Sequence, residues 1–220
     1  MADRARPTII AVDGPVAAGK GTLARRLAEH LGLRYLESGR LYRAVAARVL
    51  RAGGDPGNAD DVIAAARALG DDDLAVPELR DEAVGNAASV LSAIPEVRAV
   101  LLEYQRAFGR TPPGAVIDGR DIGTVVFPDA THKLFVTASL EVRAGRRYGE
   151  LRARGVDCEL EQVKRDVAAR DARDRGRDIA PLAVAADAVV IDTAGLDAEA
   201  AFEAGLAAIT GRGGGPSGDG

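Results

Sequence analysis

The chain has 220 residues, 47% hydrophobic and 28% charged, with a net charge of −4. That is enough for one globular domain with a sizeable core, and it argues against general affinity for nucleic acid, whose polyanionic backbone is met by net basic surfaces. The single cysteine, Cys158, excludes an internal disulfide and a thiolate metal cluster. The two histidines, His30 and His132, are too far apart in sequence to suggest a shared site.

Taken in order, Thr8–Val12 is an apolar run that reads as a buried strand. The loop Gly14-Pro15-Val16-Ala17-Ala18-Gly19-Lys20-Gly21-Thr22 follows, and Leu23, Leu27 and Leu31 then recur at helical spacing. A glycine loop between a strand and a helix lets backbone N–H groups and the positive end of the helix dipole converge on an anion. Polyphosphate is the expected guest, with Lys20 reaching the β- and γ-phosphates and the Thr22 hydroxyl helping to hold the accompanying magnesium. Gly32 stops the helix and Arg34–Leu36 is a short strand. Ser38-Gly39 turns into a helix through Leu41, Val45 and Val49 that Gly53-Gly54 closes.

Between 58 and 93 lie two alanine-rich helical patterns separated by Gly70-Asp-Asp-Asp73, and Pro95 opens a helix carrying Val97, Leu101, Leu102 and Phe108. Ala115–Asp118 and Lys133–Thr137 are further strands. Ser139 caps a helix to about Arg154, and a very polar helix runs from about Glu159 into the 170s. Ala188–Ile191 is the last strand and Asp197–Ile209 the last helix. No apolar run approaches a membrane span, and Met1–Pro7 has no apolar core to act as a signal peptide, so a cytoplasmic address is expected.

Five short strands alternating with helices predict an α/β fold, a five-stranded parallel sheet covered by helices on both faces. Ligands of such sheets bind beyond the carboxyl ends of the strands. The phosphate loop, Glu37-Ser38 and Asp118–Asp121 should meet there. Arg43 lies one helical turn past Gly39, and Asp118-Gly119-Arg120-Asp121 alternates acid and base just past a strand. In Arg170-Asp-Ala-Arg173-Asp174-Arg175-Gly176-Arg177, a helix would put Arg170, Arg173 and Arg177 on one face. Like charges so spaced repel unless a polyanion lies between them. Gly176 and Pro181 mark that segment as interruptible.

These motifs together resemble the bacterial cytidylate kinases, over a match from Ile9 to Ile209. The resemblance is carried by Asp13-Gly-Pro with Gly19-Lys-Gly-Thr22, Ser38-Gly-Arg-Leu-Tyr-Arg43, Asn86-Ala-Ala-Ser89, Asp118-Gly-Arg-Asp-Ile-Gly-Thr-Val-Val-Phe-Pro-Asp129, and Arg170-Asp-Ala-Arg-Asp174 with Ala180-Pro-Leu182. It implies transfer of the γ-phosphoryl group of ATP to CMP or dCMP with Mg2+, in one domain spanning 1–210. That domain would hold a helical monophosphate-binding region at 38–110 and an arginine-rich lid at 155–180, followed by a flexible tail at 211–220.

By resemblance, Gly14 to Thr22 hold ATP, and Ser38, Tyr42 and Arg43 belong to the substrate site. Arg43, Arg120 and Arg170 would meet the CMP phosphate, and Asp174 the ribose. Ser89, Arg98, Asp121 and Arg177 would read or support the cytosine, while Arg173 and Arg175 reach the phosphates from the lid. Lys20, Arg120, Arg170 and Arg173 are the expected catalytic cations. The working unit is expected to be a monomer. Residues 70–85 lack the alternating apolar runs of a small antiparallel sheet, which matches shortened members of the family, and Glu37 stands where aspartate is usual. The alternatives are another small P-loop kinase, for UMP, AMP or a metabolite such as shikimate, and a non-catalytic nucleotide-dependent switch. Against the switch, the chain has no Asn-Lys-x-Asp guanine motif.

Overall fold

The computed structural model describes residues 7–211; residues 1–6, and the expected tail from 212 onward, lie outside the described residues. The sheet is parallel throughout, with β1 (Thr8–Asp13), β2 (Arg34–Glu37), β3 (Gly114–Gly119), β4 (His132–Thr137) and β5 (Val189–Asp192) in the order β2-β3-β1-β4-β5.

Two-residue periodicity divides each central strand between two cores. Ile9 and Ala11 of β1, with Ala115 and Ile117 of β3, face one core. Its other wall is α2 (Ser38–Arg51), α4 (Glu82–Leu91) and α5 (Pro95–Arg110). Ile10 and Val12, with Val116, Leu134 and Val136, face the opposite core under α1 (Lys20–Leu31) and α8 (Ala198–Thr210). With both faces covered, the strands read as nearly continuous apolar runs. A third, smaller cluster of Leu151, Val163 and Val167 closes a hairpin of α6 (Leu140–Ala153) and α7 (Leu160–Arg175), and Val16 of the glycine loop packs against it.

Capping follows local chemistry. The side chains of Ser139 and Asp197 accept from the N–H groups of Val142 and Ala200, at 3.3 and 2.8 Å. Asn58 does the same for α3 (Ala59–Arg67). Two differences from the sequence reading concern the site. No turn separates β2 from α2: Glu37 ends the strand and Ser38 begins the helix. Past β3, the segment Ile122–Val126 forms a single π-helical turn. Residues 71–74 and 77–80 are short 3-10 turns, with no strand between α3 and α4, as the absence of alternating apolar runs implies.

Candidate active site

Register brings three strand ends level, Asp13 beside Gly119 and Glu37 beside Asp118. The chain leaves β1 through Gly14, whose φ of 151° no other residue adopts easily; a Cβ there would lie 2.1 Å from the carbonyl oxygen of Val136. Ala17 (φ 59°) and Gly19 (φ 88°) complete the left-handed turns that aim the loop at the start of α1. The first N–H groups of a helix have no intrahelical partner, so this end is poised for an anion. Pro15 accepts from Lys20 Nζ at 3.3 Å, and Ala18 accepts from the Thr193 hydroxyl at 2.9 Å. Val16, Ala17, Gly19, Lys20, Gly21 and Thr22 line a cavity of about 320 Å3; Gly14, Pro15 and Ala18 lie outside its lining.

Two groups of charges share that cavity. Around Lys20 stand Arg43, Arg120, Arg170, Glu37 and Asp118. Burial, with Arg120 beside it, pulls the Lys20 ammonium down to about 7. Burial and Arg120 likewise bring Arg170 down to about 9. Among the described residues Arg170 has no ion pair, and its buried Nε has no hydrogen-bond partner. Among the described residues Arg43 pairs only with Glu37, at 3.7 Å, and its Nε also has no hydrogen-bond partner. Cations buried without partners are costly, and an anion placed among them would reverse the sign of their mutual repulsion.

The second group surrounds Asp121. Its carboxylate forms a buried pair with Arg98, whose Nη1 also donates to the Ser92 carbonyl at 3.3 Å. Burial pushes Asp121 up despite the neighbouring arginines. The guanidinium of Arg98 lies 5.7 Å from the ring centroid of Tyr42, and burial pushes that phenol up to about 12. Asp174 joins the groups by accepting from Arg120 Nε at 2.7 Å and pairing with Arg177. Burial works to raise the Asp174 carboxyl, but Arg120, Arg177 and Arg170 together hold it below the usual range.

Among the residues expected from sequence, Ser38, Tyr42, Arg43, Ser89, Arg98, Arg120, Asp121, Arg170, Asp174 and Arg177 line this cavity with the loop. Three arginines stand differently from the sequence picture; of these, Arg175 is exposed, outside the lining, and lies 3.9 Å from Asp171. Arg177 lies beyond the C-terminus of α7 and folds back on Asp174, so it shares no helical face with Arg170. Arg173 is exposed and outside the lining, and its Nε donates to Ser89 Oγ at 3.2 Å.

The cavity also contains Asp118, which the sequence placed at this edge without a role, and Arg147, which it did not place there. Asp118 accepts from the Tyr35 hydroxyl at 3.1 Å and is raised by burial to about 6. Arg147 of α6 pairs with Glu82 at the start of α4 and with Glu150 at 2.9 Å. Asp118 was visible as an acid ending a strand. Arg147 gave no signal, because it is one arginine among several on a polar helix.

A profile of the cytidylate kinase family matches residues 10–210, from β1 to the end of α8. The chain belongs to the cytidylate kinase family. It is 57% identical to a cytidylate kinase of Rhodospirillum rubrum over 90% of this chain and 95% of the relative. It is 55% identical to one from Paramagnetospirillum magneticum, over 92% and 97%. A crystal structure of an uncharacterized protein from Eubacterium ventriosum shares the fold at 14% identity, with a TM-score of 0.52 over 92% of this chain and 98% of that one. No helix among the described residues is long and apolar enough to cross a membrane.

Proposed function

We propose that this chain transfers the γ-phosphoryl group of ATP to CMP or dCMP, giving ADP and CDP or dCDP. Family membership supports the reaction. The structural observation that carries it is one cavity holding both a glycine loop with its lysine and a set of incompletely paired arginines, Arg43 and Arg170, suited to a second phosphate. A nucleotide-dependent switch would need only the first of these.

The proposed division of labour follows from the chemistry. Loop amides and Lys20 hold the donor's phosphates, while Arg43, Arg120 and Arg170 hold the monophosphate in line with them. No general base is needed, because an ionised phosphate oxygen is already the nucleophile. Asp121, oriented by Arg98, can accept from the exocyclic amine of cytosine, where uracil would present a carbonyl and meet repulsion. The segment 155–180, which contains α7, is proposed to act as the lid, excluding water as Arg170 meets its anion.

Magnesium fits the donor set. The Thr22 hydroxyl is a hard oxygen ligand at the mouth of the loop, and the described residues contain no cluster of three acidic, histidine or cysteine side chains that would make a dedicated cage. That suits an ion carried mainly by the nucleotide, where it would neutralise charge on the phosphates. The working unit is proposed to be a monomer. The test is ATP consumption with CMP, dCMP, UMP, AMP and GMP as acceptors. CMP and dCMP should lead in kcat/KM, and equal rates with every acceptor or with none would contradict the proposal.

A further inference from the structure

Asp13 ends β1, lies outside the cavity lining, and is 4% exposed. Both of its carboxylate oxygens are taken by backbone donors from a segment 109 or more residues away. Ile122 N–H donates to Oδ1 at 2.8 Å and Gly123 N–H to Oδ2 at 2.7 Å. These are the opening donors of the π-helical turn, which have no partner inside the turn itself. The turn's own bonds begin one residue earlier, with the Asp121 carbonyl accepting from Val125 and Val126 at 2.9 and 3.1 Å. Arg120 and Asp121 therefore sit on the backbone immediately before two anchored amides.

We infer that Asp13 is a positioning residue for the acceptor nucleotide, its two bonds setting where the Arg120 guanidinium and the Asp121 carboxylate stand. The inference rests on the proposed reading that Asp121 meets the cytosine amine and Arg120 the phosphate. Packing constrains the turn from other sides. A Cβ on Gly119 would lie 2.5 Å from Ser38 Oγ, and one on Gly123 would lie 3.1 Å from the Lys133 stem. Packing contacts tolerate small slides, whereas a bidentate carboxylate facing two N–H groups fixes orientation. Because Asp13 directly precedes Gly14, the same residue ties the start of the phosphate loop to the acceptor-reading turn. Burial opposes its ionisation and raises it to about 7, while the Gly123 and Ile122 N–H groups favour the charged form.

The test compares Asp13→Asn and Asp13→Ser with wild type. Asparagine keeps one acceptor but turns its amide toward the other N–H; serine keeps a single acceptor without that opposition. For each, kcat/KM is measured for CMP and for UMP, together with KM for ATP and the thermal midpoint. In folded variants, kcat/KM for CMP should fall about tenfold or more, in the range expected for an unmatched buried donor. The CMP-to-UMP ratio should fall with it, and KM for ATP should change less than about threefold. Losses equal for both acceptors, or an unchanged ratio in a folded variant, would overturn the inference, as would failure of both variants to fold. Should wild type itself show no preference for CMP over UMP, the reading of Asp121 fails instead, and the two failures are thereby told apart.

Discussion

Arg120 Nε donates to Asp174 Oδ2 at 2.7 Å, joining the turn past β3 to α7 across 54 residues. The two side chains assigned by resemblance to different parts of the substrate, phosphate and ribose, meet each other here. Asp174 also pairs with Arg177 and lies near Arg170, so one carboxylate offsets a group of cations. Asp174→Ala should therefore destabilise the protein by roughly 3–5 kcal/mol, the range for breaking a buried pair from one side. CMP or inorganic phosphate should recover more stability in this variant than in wild type, because an anion replaces the lost charge. Denaturant midpoints with and without each anion measure both effects.

Among the described residues Lys20 donates one hydrogen bond, to the Pro15 carbonyl at 3.3 Å. Lys20→Met keeps approximate length and removes the charge. Single preorganised contacts to developing charge account for about 3–4 kcal/mol, so kcat should drop by about 100- to 1,000-fold with the thermal midpoint nearly unchanged. A variant turning over CMP at close to the wild-type rate would remove the loop from the mechanism.

A pH effect follows from Asp13, whose carboxyl rises from its ordinary 3.8 to about 7 through burial. An acid raised in the native state favours folding at low pH, and that contribution declines as pH rises through the native value. The stability of wild type relative to Asp13→Asn should therefore fall between about pH 4 and pH 8. Comparison with the variant matters, because Asp118 acts in the same direction and Lys20 in the opposite one. Chemical denaturation of the pair at several pH values gives the slope, and a difference rising with pH would contradict it.

Much of this architecture was legible in the sequence because it is local. The strand–loop–helix around Gly14–Thr22 and the apolar runs of β1 and β3 each depend on neighbours in the chain, and all five strands fall within a residue or two of their expected limits. What the sequence concealed depends on distant partners. The π-helical turn at 122–126 is held by an acid on β1, and nothing in Ile-Gly-Thr-Val-Val calls for that geometry by itself. The helical spacing that put Arg177 with Arg170 failed because α7 ends at Arg175, where the following segment ties back through Leu182 N–H to the Asp174 carbonyl at 2.8 Å. Tyr35 beside Asp118 and Arg147 beside Glu82 were likewise invisible, since the first contact joins two strands and the second two helices that are distant in sequence.

Arg170 supplies a test of closure. Its buried Nε lacks a partner among the described residues, and α7 is held to α6 by the buried Arg143–Asp171 pair at 2.6 Å. Hydrogen exchange across 155–180 should slow when CMP and a non-hydrolysable ATP analogue bind together, and much less with either alone. Unchanged protection in the ternary complex would remove the lid from the account.

The most direct measurement is kcat/KM for CMP and UMP in wild type, Asp121→Ala and Arg120→Ala. Removing Asp121 should lower the CMP preference, because the site no longer leaves a buried acceptor unmatched when uracil binds. Removing Arg120 should weaken both acceptors to a similar degree, since every monophosphate offers it the same group. An Asp121→Ala enzyme that keeps the full wild-type preference for CMP would contradict base recognition by the Arg98–Asp121 pair and move it to other groups in the cavity, such as Ser89 or Arg177.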